Sequence, residues 1–175
     1  MLKSAEDLQQ SESDISGEAS VMSLAPTVQM FLDRQHVPYR MLHHTYAETM
    51  MSSAIAAQLP ARKVAKGVVL RDEEGFVMAM VPSDRMADLD AINRRMNRLL
   101  EPASQQDVNL LFRDCKQGAV PSLGQAYNMP VIWDDALAQE EDCYFECGDH
   151  MDLLRLDKAS FEQLMHSYPH GAISH

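Results

Sequence analysis

Lys66 lies inside an otherwise apolar run, Val64-Ala65-Lys66-Gly67-Val68-Val69-Leu70. A run of Val and Leu this short reads as a buried strand, and lysine is rarely buried without a partner. Its ammonium must therefore reach water over its own methylenes, find an acid, or point into a pocket that takes an anionic or carbonyl-bearing ligand. About fifty residues later comes Gly118-Ala119-Val120-Pro121-Ser122-Leu123-Gly124. Glycines there let a ligand approach the backbone closely, and free N–H groups can hold an oxygen that becomes negative during a reaction. Gly67, directly after the lysine, removes a side chain where a ligand or another backbone could come close.

Each signal has a plain structural alternative. A lysine near a strand end often only snorkels, and Gly-Pro loops mostly reverse the chain. His150, after Gly148-Asp149, and His43-His44 end strands, positions suited to a cleft, although a lone histidine is more often a surface or satisfied interior residue. Cys143 and Cys147 with His150 suggest a metal cluster. On a strand, however, their Cα atoms would lie roughly 13 Å apart at about 3.3 Å per residue, too far for one zinc or a disulfide. Both are read as small core hydrophobes. Neither a GxGxxG sequence opening a helix, a Walker lysine motif, nor a Gly-x-Ser-x-Gly elbow is present. Arg94, Arg95 and Arg98 read as a solvated helix face, with contact to tRNA or an acidic partner as the alternative.

The 175 residues suffice for one full core. No stretch approaches the run of about eighteen apolar residues that a membrane helix needs. Three cysteines without framework spacing fit a reducing cytoplasm. A formal net charge of −11 argues against simple affinity for nucleic acid. Residues 1–24 carry Glu6, Asp7, Glu12, Asp14 and Glu18 against Lys3 and show no periodicity, so they read as a flexible acidic extension before a single domain over 25–175.

The elements that must position these residues follow from periodicity and breakers. Pro26 opens a helix through Val28, Phe31 and Leu32, and Tyr39–His43 is a strand. Ser52 or Ser53 caps a short helix over 54–59. Strands Val64–Arg71 and Phe76–Val81 form an antiparallel hairpin through Asp72-Glu73-Glu74-Gly75. Asp88–Leu100 is a helix with Leu89, Ile92, Met96 and Leu99 on one face, and Gln105–Phe112 is a second. Strands follow near 130–133, 143–147 and 153–156, then a helix over Lys158–Tyr168 that buries Phe161, Leu164 and Met165. With no βαβ rhythm, the pattern predicts an α+β domain with a mixed, largely antiparallel sheet.

Together the segments around Lys66, Val81-Pro82-Ser83-Asp84, Leu111 to Gly124 and Gly148-Asp149-His150 resemble the YbaK/EbsC family of aminoacyl-tRNA editing domains, related to the insertion domain of bacterial prolyl-tRNA synthetases. The resemblance covers about residues 28–168 and is nearest to free-standing members similar to the alanyl- and cysteinyl-tRNA(Pro) deacylases. It implies a curled mixed sheet around a pocket, with peripheral helices. It also implies hydrolysis of the ester joining a wrong amino acid to the tRNA 3′ end, without metal or cofactor. Lys66 and the Gly118, Ala119, Val120, Pro121 backbone would be catalytic, with Gly67, Ser83, Gly124 and His150 contacting substrate. Lys66 would face the loop across a cleft, with His150 on its rim. Family members usually carry Thr or Asn after the lysine; Gly67 supplies no such hydrogen bond. The resemblance leaves a rival, a non-catalytic ligand- or partner-binding module. The partners implied are the aminoacyl-tRNA 3′ end and a synthetase or other protein, not DNA or a membrane.

Overall fold

A computed structural model describes residues 24–175, so the extension expected over 1–24 lies outside the described residues, Leu24 excepted. Leu24 is buried, and the Ala25 N–H donates to Cys147 O at 2.8 Å, so the folded part takes in one residue more than the composition suggests. Helix α1 spans Pro26–Gln35 with proline at its start and His36 closing it in the left-handed conformation. After β1 (Arg40–His43), α2 covers Met50–Ala56. Its cap is Thr49 in a reciprocal capping box with Ser52, so the helix begins four residues before the expected span of 54–59.

Strands β2 (Ala65–Asp72) and β3 (Gly75–Pro82) form the expected hairpin, with Asp72 opposite Gly75. The connection is thus a two-residue turn, Glu73-Glu74, fastened by Asp72 Oδ1, which accepts the Glu74 and Gly75 N–H groups. Helix α3 runs only over Leu89–Met96, because Asn97 turns left-handed and ends it. Leu99, expected on the apolar face, therefore falls beyond the helix and is 89% exposed. Arg98 leaves the expected solvated face, and its guanidinium pairs with Asp72 across the hairpin end. That pairing holds the Asp72 carboxyl down to about 2.

The remaining elements are β4 (Glu101–Pro102), α4 (Gln105–Leu111), β5 (Val131–Asp134), β6 (Asp142–Glu146), β7 (Asp152–Asp157), α5 (Lys158–Met165) and β8 (His170–Gly171). They complete two sheets where one curled sheet was expected. One has the order β1-β7-β6 and is antiparallel. The other, β4-β2-β3-β5-β8, is mixed, since β3–β5 and β5–β8 run parallel. Val64, just before β2, bridges Tyr144 of β6 and joins them.

Alternation along the strands separates three packing zones. Val69, Met78, Met80, Val131 and Trp133 face the main core with α1, α5 and the inner residues of β6 and β7. Leu70, Val77, Ala79, Val81 and Ile132 face Ile92 of α3 on the other side. Ala54 of α2 covers Val64, Tyr144 and Leu153. Cys143 and Cys147 are buried free thiols in the main core, raised by desolvation, as their reading as hydrophobes requires.

Candidate functional site

The 118–124 loop lies directly on β2. Ser122 Oγ donates to Ala65 O at 3.0 Å, and a Cβ built on Gly67 would stand 3.4 Å from Ser122 Cα and 2.9 Å from Met78 Sδ. Glycine at 67 therefore permits the close approach of loop to strand. It also fixes which face of β2 meets the loop. Gly67 is on that face, so the neighbouring Lys66 is on the other. Its ammonium donates to Arg85 O at 2.7 Å, in the turn after β3. The expected juxtaposition of the Lys66 ammonium and the loop is thus corrected by the pleat of the strand. No carboxylate pairs with Lys66 among the described residues, although Lys63 is matched to Asp142 and Arg62 to Glu140.

Within the loop, Gly118 adopts φ +81, a conformation that suits glycine. Ala119 N–H is used internally, donating to Lys116 O at 2.9 Å, and Pro121 has no N–H to give. Among the described residues no acceptor takes the N–H of Gly118, Val120, Ser122, Leu123 or Gly124, and of these only Gly118 and Val120 belong to residues that are not buried. Ala119 and Pro121 are buried, Gly118 is exposed and Val120 half-buried. A pocket of about 180 Å³ opens beside Gly118 and Val120, bounded by Phe112, Arg113, Cys115 and Lys116. Burial pushes the Cys115 thiol up to about 12, and Tyr127 OH sits 3.4 Å from its sulfur, so it is no ready nucleophile.

His150 is next to the loop but buried, not on a rim. Its ring spans two carbonyls, Nε2 at 2.7 Å from Gln117 O and Nδ1 at 3.1 Å from Ala47 O. A Cβ on Gly118 would lie 3.6 Å from its Cε1. The ring braces the residue before Gly118 against the 44–47 segment. The turn carrying His150 is held in turn by buried Glu146, whose Oε1 accepts the N–H groups of Gly148, Asp149 and His150 at 2.9, 3.1 and 3.1 Å. Nothing in the spacing 146–150 exposed this arrangement; an acid at a strand end four residues before a left-handed histidine is its only trace.

Two other expected contacts are structural. Ser83 is buried, its Oγ donating to Ala61 O at 2.7 Å and its N–H to Val64 O at 2.8 Å, which ties the end of β3 to the start of β2. Gly124 is buried where a Cβ would stand 2.8 Å from Met78 Cβ and 2.9 Å from Met129 Cγ, so glycine there permits close packing. The structure therefore gathers Gly67, Gly118–Ser122 and His150, sets Lys66 on the opposite face of β2, and engages Ser83 and Gly124 in internal bonds and packing.

Comparison with solved structures gives the same fold. A candidate trans-editing enzyme for prolyl tRNA synthetase superposes with TM-score 0.71 at 21% identity, over 87% of this chain and 99% of that one. A hypothetical protein superposes with TM-score 0.73 at 16% identity, over 85% and 99%. A candidate signal transduction protein from Marinobacter aquaeolei VT8 gives 0.68 at 20% identity; this chain is 85% covered but spans only 30% of that protein. No curated protein matches by sequence. The aminoacyl-tRNA editing domain profile matches residues 44–164, a span that holds β2, the Gly118 loop and His150. On that match over most of its length, the chain belongs to the aminoacyl-tRNA editing domain family.

Proposed function

We propose that the chain hydrolyses the ester of mischarged aminoacyl-tRNA, acting in trans. The observation that carries this reading is a lysine with no carboxylate partner among the described residues, on the strand whose next residue lies under the loop that bears the unpaired N–H groups of Gly118 and Val120. Water adds to the ester carbonyl, the N–H groups of Gly118 and Val120 take the developing oxyanion, and the 3′ oxygen leaves with a proton. The ester is already activated, so positioning and charge stabilisation suffice. Lys66 leaves β2 on the face away from the loop, so it acts only by releasing Arg85 O and reaching round the strand to a phosphate of the acceptor end. Free Cys115, Cys143 and Cys147 support a reducing compartment such as the cytoplasm. Among the described residues no helix is long and apolar enough to cross a membrane.

The test is deacylation of Ala-, Cys- and Ser-tRNA by wild type and by Lys66→Ala. A fall of about 100-fold in kcat/KM is expected, in the range for removing one charge-stabilising group. Equal rates on every substrate would overturn the reading. A second reading, a ligand- or partner-binding module, is favoured by the present position of the Lys66 ammonium and by the absence of a polar side chain at 67. No turnover by wild type, with retained binding of an aminoacyl-adenosine mimic or of a synthetase, selects it.

A further inference from the structure

Tyr46 is 56% exposed, and its hydroxyl makes no hydrogen bond among the described residues. A surface aromatic with no polar anchor is ordinarily free to move. Here the backbone around it is fixed. His44 N–H donates to Met151 O at 2.8 Å, Ala47 N–H donates to His150 O at 3.1 Å, and Ala47 O is 3.1 Å from His150 Nδ1. His44 and Ala47 are buried on either side of the exposed pair Thr45-Tyr46. The Tyr46 ring rests against His150 at a centroid distance of 5.3 Å and an angle of 56°. The imidazole that supports Tyr46 is the one that touches Gly118 and Gln117 O. An aromatic ring is thus held, part of it open to solvent, one side chain away from the candidate oxyanion donors.

We infer that Tyr46 is the stacking platform for the terminal nucleobase of the aminoacylated 3′ end, a specificity-determining residue that no other observation assigns. The inference rests on the deacylase reading for the identity of the ligand. Two features favour a base over the amino-acid side chain. Tyr46 is 56% exposed and stands apart from the closed packing of Gly67, Ser122 and Met78, so its ring is open to a flat ligand. And a chain of net charge −11 gains little from phosphates, so stacking, which needs no cation, must supply more of the grip. The step is binding only; no bond is made or broken by Tyr46.

The experiment measures calorimetric affinity for a non-hydrolysable 3′-alanylamido-3′-deoxyadenosine and for the same amide on a ribose lacking the base. Wild type should prefer the base-bearing ligand by roughly tenfold, as expected for one stacked base. Tyr46→Ala and Tyr46→Leu should lose that preference and Tyr46→Phe keep it, with melting curves showing each variant folded. Preference retained by Tyr46→Leu, lost by Tyr46→Phe, or absent from wild type overturns the proposal. Ester hydrolysis is followed in parallel. Base preference that depends on Tyr46 without any hydrolysis would retain the platform and sink the deacylase reading; hydrolysis with an unchanged preference in Tyr46→Ala would do the reverse.

Discussion

Gly67 and Asp152 each set a chemical property by what surrounds them. A threonine at 67 would place its Cβ 2.9 Å from Met78 Sδ, the far end of a flexible side chain, and 3.4 Å from Ser122 Cα. The thioether can yield, so Gly67→Thr should fold with a loss of at most about 1–2 kcal/mol. It would also put a hydroxyl at the loop–strand contact. The expected outcome is altered selectivity among Ala-, Cys- and Ser-tRNA, read from relative deacylation rates, with stability checked by urea denaturation. Asp152 is raised from 3.8 to about 6 by burial and by Asp149, with His43 opposing. The native state then binds more protons than the unfolded state between those values. Its contribution to stability is full below about 4 and is lost as pH rises to about 6. Asp152→Asn should remove that downward slope and leave the protein at least as stable at pH 7, measured by denaturation from pH 4 to 7. Asp72 runs the other way, contributing above the ordinary carboxylate range and losing its effect as pH falls toward 2.

At the scale of elements, periodicity and breakers were good guides and cross-chain contacts were not. The β2–β3 hairpin, α1 and α5 follow from apolar spacing, Pro26 and the Asp-Glu-Glu-Gly turn, all of them local. The short strands β4 and β8 carry two residues each, too few for any period. The two sheets meet at the bridge from Val64 to Tyr144, between residues eighty apart in sequence. Of the site, the proximity of His150 to Gly118 matches the expectation, while the faces of β2 are the reverse of it, because the loop docks on Gly67 and Lys66 turns to Arg85 O. Ser83 and Gly124 carry motif residues whose bonds or packing are internal. Glu146 was invisible because its partners are backbone N–H groups. Glu146→Ala would leave three N–H donors without their acceptor in a buried turn and should cost about 3–5 kcal/mol. Glu146→Gln keeps an acceptor and should cost less, a ranking that urea midpoints can check.

For the whole molecule, the last residues reach back to the middle of the chain. Ile173 N–H and Ser174 Oγ both donate to buried Asp134, and Ile173 O accepts from Asp88 N–H. His175 exchanges two backbone hydrogen bonds with Met86, at 2.8 and 2.9 Å. Met86 follows Arg85, whose carbonyl holds the Lys66 ammonium. Residues 172–175 are thus a distant latch on the resting position of a cation that sits more than a hundred residues earlier. Deleting them should free the 84–87 turn, speed amide exchange at Met86 and Asp88, and change the chemical shift of a labelled Lys66 ammonium. Unchanged exchange and an unchanged ammonium signal would show no such linkage. If both change, the carboxyl-terminal segment is a throttle on the lysine, and an alteration made there for convenience is, in effect, an alteration of the proposed site.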